Sequence, residues 1–182
     1  ARSVDARLSL AVIGAGRAGQ ARVRALAESR SARLAALVSF RAPAGATFEG
    51  VLADRSISGV ILCTPNLLHP DQARAALLAG KHVLVEFPLA PGPAQARELF
   101  AISIERGLVL HEKHIELLSP AQAWLRERAA RLGRPRRGVV HFSGAHSGWL
   151  ADPALAGTPA LCALARLHRL VLQVPPQVRG KR

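Results

Sequence analysis

Three glycines near the start of the sequence have the spacing of a phosphate-binding turn. Residues 10–22 read L-A-V-I-G-A-G-R-A-G-Q-A-R, which matches G-x-G-x-x-G directly after an apolar run. In this pattern the first glycine permits a tight turn, the second lets the backbone approach a pyrophosphate, and the third lets a helix pack closely on a strand. The alternative is a tight turn that binds no ligand. The predicted contacts to a dinucleotide are Gly14, Gly16, Arg17, Ala18 and Gly19.

The residues expected at the end of the second strand indicate which dinucleotide would bind. An acidic residue at this place usually binds the ribose 2′-hydroxyl of NAD. Here the sequence is Leu37-Val38-Ser39-Phe40-Arg41, which contains no acid. Because a guanidinium can pair with the 2′-phosphate of NADP, Ser39, Phe40 and Arg41 favour NADPH over NADH. The alternative for Arg41 is a solvated loop residue.

Alternating apolar runs and amphipathic stretches predict the elements that position these residues. Strands that alternate with helices of about ten residues indicate β-α-β units and a parallel sheet. Short, uniformly apolar strands fit a sheet that is covered on both faces. We therefore predict an α/β fold, a Rossmann-type doubly wound parallel sheet, over residues 1–120. The predicted strands are Leu8–Ile13, Arg33–Val38, Val60–Cys63, His82–Val85 and Val109–His111, and the predicted helices are Ala18–Ala27, Asp71–Ala79, Ala94–Glu105 and Pro120–Arg131.

The pattern changes near Gly133. Residues 134–138 (R-P-R-R-G) form a charged, turn-rich linker, and a strand over Val139–Phe142 and a helix over Pro159–Val171 are predicted to follow. A segment of about 50 residues cannot bury much of a second core. We therefore expect residues 121–182 to form a linker helix and an incomplete, truncated C-terminal α+β domain for the substrate. An uncovered strand invites pairing, so the chain could self-associate through an uncovered sheet.

The composition disfavours several kinds of partner. The formal net charge is +13, but no aromatic residues interleave the arginines of the basic stretch at residues 126–137, so no nucleic-acid partner is expected. No apolar run of about 18 residues and no signal-peptide pattern occurs, so neither a membrane span nor secretion is expected. Two cysteines without a CxxC spacing fit a reducing compartment, and a cytoplasmic location is the default expectation.

Several segments resemble a known superfamily. The stretches G-V-I-L-C-T-P-N-L-L-H-P at residues 59–70 and A-G-K-H-V-L-V-E-F-P at residues 79–88 are similar to the glucose–fructose oxidoreductase/inositol dehydrogenase superfamily. Within it, G-R-A-G at residues 16–19 and V-L-H-E-K-H-I-E-L-L at residues 109–118 resemble the biliverdin reductase A type. The resemblance covers about residues 8–145.

The resemblance implies a reductase that uses NAD(P)H to deliver a hydride to the central methine carbon of biliverdin, a linear tetrapyrrole, which gives bilirubin. The nicotinamide would lie at the carboxyl ends of the strands, and the protein would supply position and electrostatics. The propionates of such a substrate would also suit some of the basic residues. The implied cofactor contacts here are Thr64, Pro65, Asn66, His69 and Glu86, and the implied catalytic residues are Glu86, Phe87, Glu112 and Glu116.

Two positions depart from the family pattern. The superfamily commonly has Glu-Lys-Pro where this chain has Glu86-Phe87-Pro88, and biliverdin reductases have Tyr in place of Phe87. Phenylalanine has no titratable group for acid–base work, so sugar-alcohol oxidation by the usual route is disfavoured, although a proton for biliverdin reduction could come from water. Lys113 stands where an acid is expected.

Alternatives stay open for the other polar residues. Glu86 could orient the nicotinamide or the substrate, or it could only cap or pair with Lys81. Glu112 and Glu116 would share a face if their segment is helical. A metal site built from such His and Glu residues is not expected, because no third or fourth ligand has suitable spacing. For His69, the alternative to a cofactor contact is a residue at a helix entry.

Three functions are therefore compatible with the sequence. The first is NAD(P)H-dependent reduction of biliverdin, weakened by Phe87 and by the short C-terminal domain. The second is a non-catalytic NAD(P)-binding protein derived from such a reductase. The third is another small-molecule dehydrogenase of the same superfamily.

Overall fold

The computed structural model describes residues 7–41, 45–114 and 118–132. The chain divides into two compact units, of which the first ends at Lys113 and the second begins at His114. The predicted domain boundary at residue 120 stays a prediction. Glu116, the linker at 134–138 and the elements predicted at Val139–Phe142 and Pro159–Val171 lie outside the described residues.

The first unit alternates strands with helices. A 3₁₀ turn at Asn66–Leu68 directly precedes its third helix. The described elements contain every strand and helix predicted over residues 8–132, with ends that differ by at most about two residues, and one helix that was not predicted, Phe48–Ala53. The strands are β1 (Leu8–Ile13), β2 (Ala32–Val38), β3 (Gly59–Leu62), β4 (His82–Val85) and β5 (Leu110–Glu112), and the helices are α1 (Arg17–Ala27), α2 (Phe48–Ala53), α3 (His69–Leu78) and α4 (Pro93–Glu105).

The five strands form one parallel sheet in the order β2-β1-β3-β4-β5. At the carboxyl edge, Ile13 lies beside Val38 on one side and Leu62 on the other, and Leu62, Val85 and Glu112 follow in register. The strand order reverses at β1, since the chain passes to β2 on one side and then crosses to β3 on the other. This confirms the doubly wound Rossmann sheet, whose ligands bind outside the carboxyl ends at such a switch point.

Helices cover both faces of the sheet, and successive side chains of each strand point to opposite faces. The face toward α1 packs Val12 of β1 and Ile61 of β3 against Leu26. The opposite face is the larger core and carries the helices α2, α3 and α4. It buries Ile13, Val51, Leu62, Leu77, Val83, Val85 and Leu99, all of them at most 2% exposed.

Local sequence signals explain where two of the helices begin. Thr47 precedes α2, and its hydroxyl accepts the N–H of Gly50 at 3.0 Å, which is the cap that starts so short a helix. Helix α4 begins at Pro93, with Gly92 as its N-cap. Proline suits this position because it has no N–H that would need a partner in the first turn.

Lys81 fixes the turn that leads from α3 into β4. Its side chain is 4% exposed, and its Nζ donates to the carbonyl oxygens of Asp54 at 2.5 Å and Ile57 at 2.9 Å. The idea that Glu86 pairs with Lys81 is therefore wrong, because Lys81 is held by backbone carbonyls between α2 and β3.

The second unit is described through α5 (Pro120–Leu132). Within it, the guanidinium of Arg128 lies over the ring of Trp124, 4.1 Å from the ring centroid, a favourable cation–π geometry. In the part of the chain that the structure describes, no helix combines the length and the apolar character needed to cross a bilayer.

Candidate functional site

The turn between β1 and α1 requires glycine at two positions. Gly14 has a φ of +105°, and a Cβ there would lie 2.5 Å from the carbonyl oxygen of Cys63. A Cβ at Gly19 would lie 1.8 Å from the carbonyl oxygen of Gly14. The N–H of Gly14 donates to the carbonyl of Val38 at 2.9 Å, so the turn is tied to the end of β2.

The fold makes no such demand at Gly16. Its φ of −71° suits any residue, and no described atom lies within 4 Å of a Cβ built there. Gly16 is the N-cap of α1, and no side chain caps this helix. Uncapped N–H groups at a helix N-terminus attract anions. The open space beside Gly16 therefore fits a pyrophosphate that approaches the backbone.

The end of β2 lies beside this turn at the same edge of the sheet. The Oγ of Ser39 accepts the N–H of Arg41 at 3.4 Å. The side chain of Phe40 is 64% exposed, and Arg41 is exposed too. An exposed aromatic ring and guanidinium are thus present where an acidic residue would otherwise meet a ribose.

The loop after β3 presents its first residues at the switch point. Thr64 is 8% exposed, and its hydroxyl donates to the Oε1 of Gln72 at 2.5 Å. Pro65 is exposed and Asn66 is half-buried at the start of the 3₁₀ turn. Because the Thr64 hydroxyl is already engaged, Pro65 and Asn66 are the first side chains after Thr64 that a ligand could reach.

His69 is a buried residue that lies between two loops. It is 0% exposed, with Nδ1 2.7 Å from the carbonyl oxygen of Pro88 and Nε2 2.9 Å from that of Thr64. Its place at the beginning of α3 agrees with the helix-entry alternative. The buried ring joins the loop after β3 to the loop after β4, and the expected contact of His69 with the cofactor stays a prediction.

Three charged side chains meet at the carboxyl edge and form what we call the Glu86 cluster (Arg22, Glu86 and Lys113). The Oε1 of Glu86 accepts from Arg22 of α1, at 2.9 Å from Nε and 2.8 Å from Nη2. The Oε2 of Glu86 lies 3.0 Å from the Nζ of Lys113. All three side chains are mostly buried, with 17–25% exposure. Both carboxylate oxygens of Glu86 are therefore held by cations.

Strand alternation explains why these three groups meet. Leu84 of β4 packs on the face toward α1, so Glu86, two residues later, emerges on the same face. Lys113 follows β5 next to it, and its N–H donates to the carbonyl of Val85 at 2.8 Å. The cluster thus lies on the α1 side of the sheet, beyond β4 and β5.

Cys63 lies at the end of β3 within the electrostatic reach of this cluster. Burial and, to a smaller extent, the Glu86 carboxylate raise the pKa of the Cys63 thiol to about 12, while Arg22 and Lys113 oppose the increase. A thiol with such a pKa stays protonated at neutral pH and is a poor nucleophile.

Glu112 and Phe87 have other surroundings. Glu112 ends β5, so the helical segment in which Glu112 and Glu116 would share a face is not present at Glu112. Its Oε1 accepts the N–H of Leu89 at 2.7 Å, which supports the loop after β4. Phe87 is half-buried in that loop and precedes the cis peptide bond to Pro88. Among the described residues, no group of three or more His, Cys, Asp or Glu could hold a metal ion.

The structure brings together the glycine turn, Ser39–Arg41, the loop after β3 and Glu86 along one edge of the sheet. Sequence reasoning missed Arg22, which is 64 residues from its partner Glu86. Alternation along β4 and β5 would have placed Glu86 and Lys113 on one face, but only the position of α1 shows that Arg22 reaches the same carboxylate.

A family model agrees with this geometry. The model of an oxidoreductase family with an NAD-binding Rossmann fold, the glucose–fructose oxidoreductase/inositol dehydrogenase family, matches residues 8–114. The chain belongs to this family. The matched segment holds every described strand of the sheet and the whole Glu86 cluster.

Within this oxidoreductase family, the chain is similar to biliverdin reductases. It is 33% identical to biliverdin reductase A of Mus musculus, over 91% of this chain and 57% of the relative. It is 30% identical to biliverdin reductase A of Homo sapiens, over 92% and 58%. The crystal structure of the biliverdin reductase of Synechocystis sp. PCC 6803, in complex with biliverdin and NADP+, matches with a TM-score of 0.72 at 25% identity, over 90% of this chain and 58% of that chain. The chain spans a little over half the length of these relatives.

Proposed function

We propose that the protein is an NAD(P)H-dependent reductase that converts biliverdin to bilirubin, with NADPH as the preferred cofactor. The observation that carries the proposal is the open space beside Gly16, at the uncapped N-terminus of α1. The fold itself requires Gly14 and Gly19, whereas a ligand is the remaining reason for glycine at position 16. Biliverdin as the substrate rests on the similarity to biliverdin reductases.

The strand order suggests how a dinucleotide would lie along the carboxyl edge. Ser39, Phe40 and Arg41 after β2 would hold the adenosine end, with the guanidinium on a 2′-phosphate. Gly16 would hold the pyrophosphate, and Pro65 and Asn66 after β3 would face the nicotinamide. Neighbouring strands are about 4.8 Å apart, so the edge from β2 to β4 spans roughly 15 Å.

The chain's own residues would orient the reacting groups. A bound nicotinamide supplies the hydride. Arg22 and Lys113 hold both oxygens of Glu86, so Glu86 serves as a fixed carboxylate and not as an acid. Phe87 offers an aromatic wall without a proton. The proton that the substrate nitrogen takes up must therefore come from another group or from water.

A second candidate function, nucleotide binding without turnover, is favoured by these same features. Phe87 has no acid–base group, and both oxygens of Glu86 are engaged. A chain with these properties could keep the cofactor site of a reductase after the loss of its chemistry. Only turnover separates this candidate from the first.

The test is a titration of the protein with NADPH and NADH, followed by the addition of biliverdin. We expect NADPH to bind about tenfold or more tightly than NADH, and we expect the green pigment to be converted to the yellow one. Arg41→Gln should weaken NADPH binding but leave NADH binding unchanged, whereas Arg97→Gln, on the exposed surface of α4, should change neither. Cofactor binding without any pigment conversion at high enzyme concentration would favour the second candidate, and failure to bind either nucleotide would exclude both.

A further inference from the structure

Lys113 directly follows β5, and its ammonium group lies beside the end of β4. The residue at position 87 after β4 is a phenylalanine, which has no acid–base group. The Nζ of Lys113 lies 3.0 Å from the Oε2 of Glu86, and the Lys113 side chain is 25% exposed. Glu86 directly precedes Phe87, which has no proton to give. We propose that Lys113 is the proton donor in the reduction, an inference that rests on the proposed function.

Four other titratable groups described near this edge, Glu86, Glu112, His69 and Cys63, are poorly suited to donate a proton. Glu86 accepts from cations on both oxygens, and Glu112 accepts the N–H of Leu89. His69 is fully buried, with a carbonyl oxygen at each ring nitrogen. Burial and the Glu86 carboxylate raise the pKa of the Cys63 thiol to about 12. Each of these four groups is either already engaged or too weak an acid.

The surroundings of Lys113 suit a donor. An ammonium carries three N–H bonds, so the contact with Glu86 leaves two for an acceptor and for solvent. Arg22 holds the other carboxylate oxygen and so keeps Glu86 in place, but a guanidinium does not release a proton in proteins. Lys113 follows β5, one strand beyond Glu86, at the end of the edge where the nicotinamide is proposed to lie.

The step balances as a two-electron reduction. The hydride of NADPH forms a bond to the central methine carbon, NADPH becomes NADP+, and the π electrons of the conjugated system shift to a pyrrole nitrogen. That nitrogen forms a bond to a proton of Lys113 as an N–H bond of the ammonium breaks, which leaves a neutral amine beside Glu86. Solvent then returns a proton to the amine.

Two substitutions at Lys113 separate proton donation from charge. Lys113→Gln removes both the charge and the proton, whereas Lys113→Arg keeps the cation beside Glu86 but does not release a proton. We expect kcat to fall about 100-fold in both variants, the usual size of an acid–base contribution, while the Kd for NADPH changes less than about twofold. Arg97→Gln removes one positive charge from the exposed surface of α4 and is the matched control, with unchanged kcat.

A spectroscopic measurement tests the same contact without turnover. Biliverdin is bound to the protein in the presence of NADP+, so that no reduction can occur. A hydrogen bond from an ammonium to a pyrrole nitrogen shifts the long-wavelength absorption of the pigment. We expect this shift in the wild type and in Arg97→Gln, and we expect its loss in Lys113→Gln.

The outcomes are decisive in each direction. Wild-type kcat in Lys113→Arg, or identical bound-pigment spectra for the wild type and Lys113→Gln, would overturn the proposal, because Lys113 would then act through charge alone or not at all. If the wild type binds biliverdin without reducing it, the proposed function fails, and the spectra still decide whether Lys113 contacts the pigment. If biliverdin does not bind, both proposals are overturned.

Discussion

Gly16 and Gly19 belong to one motif, but they are glycines for different physical reasons. At Gly19 a side chain would overlap the carbonyl of Gly14, so the close approach of α1 to β1 excludes it. At Gly16 the space is open among the described residues, and the backbone conformation suits any residue. A substitution at Gly16 should therefore weaken nucleotide binding, whereas one at Gly19 should lower the stability of the fold.

The change Gly16→Ala separates these two effects. A Cβ at this place would occupy the space proposed for the pyrophosphate, so we expect the Kd for NADPH to rise at least about tenfold. The free energy of unfolding should fall by no more than about 1 kcal/mol, the cost of alanine in place of glycine at an N-cap, because no contact inside the described protein is lost. Fluorescence titration and urea denaturation measure the two quantities.

Gly92→Ala is the matched control for this experiment. Gly92 is also a helix N-cap with open space where its Cβ would be, but it precedes α4, which packs on the face of the sheet opposite α1. It should leave NADPH affinity unchanged. Wild-type affinity in Gly16→Ala would remove the main support for nucleotide binding at this turn.

The thiol of Cys63 gives a prediction about pH. Burial and the Glu86 carboxylate raise its pKa from 9.0 to about 12, so less of the reactive thiolate is present at any pH below that value. At pH 9 the native thiol should react with iodoacetamide roughly 500-fold more slowly than an unperturbed one. Peptide mass spectrometry locates the modified residue. Glu86→Gln should accelerate the reaction, and an unchanged rate would show that access alone, and not charge, protects the thiol.

At the scale of elements, His69 joins the loops after β3 and β4. Its two ring nitrogens face the carbonyls of Thr64 and Pro88 inside the protein. His69→Ala would leave these carbonyls without their partner and would create a cavity, so we expect a loss of about 3 kcal/mol in the free energy of unfolding. Urea denaturation measures this loss.

His82→Ala is the comparison for His69. His82 is exposed at the start of β4, where its Nδ1 accepts the N–H of Val109 at 3.0 Å. Because water can replace an exposed partner, the expected loss is below about 1 kcal/mol. Equal losses of unfolding free energy in the two variants would contradict the view that His69 stabilises the fold by joining the loops after β3 and β4.

The elements were largely predictable because the sheet is covered on both faces. Short apolar strands such as Val60–Cys63 stand out between polar turns, and each predicted strand lies within about two residues of the observed one. The helix Phe48–Ala53 was missed because it has six residues with Gly50 inside, and its start depends on one hydroxyl cap at Thr47.

The details of the site were less predictable because they depend on which elements become neighbours. The glycine spacing alone placed the turn at residues 14–19. No local pattern relates Arg22 to Glu86, since helix α1 meets the end of β4 only after the sheet has formed. His69 was expected at the cofactor because its place next to the loop is visible in the sequence, whereas its burial is not.

At the scale of the whole molecule, the residues proposed to hold the nucleotide all lie in the unit that ends at Lys113. The family model matches nearly the same segment, residues 8–114. A chain that ends at Lys113 should therefore unfold cooperatively and bind NADPH within about threefold of the full chain's affinity.

Calorimetry and nucleotide titration of the two chains test this division. A shortened chain that is unfolded, or that has lost NADPH affinity more than about tenfold, would show that the second unit is needed for the first. The Gly16→Ala change in the shortened chain should reproduce its effect in the full chain, because the turn and helix α1 are the same in both.

Helix α1 also acts as a spacer. Its N-terminus at Gly16 is proposed to bind the phosphates. Arg22, six residues and about 9 Å farther along the helix at 1.5 Å per residue, binds the carboxylate of Glu86, near the proposed nicotinamide position. The proposed phosphate anchor and the contact with Glu86 are thereby tied to the first turn and the middle of one rigid helix. An inserted residue between them would rotate Arg22 by about 100° around the helix axis and uncouple the two contacts, although every strand stayed in place.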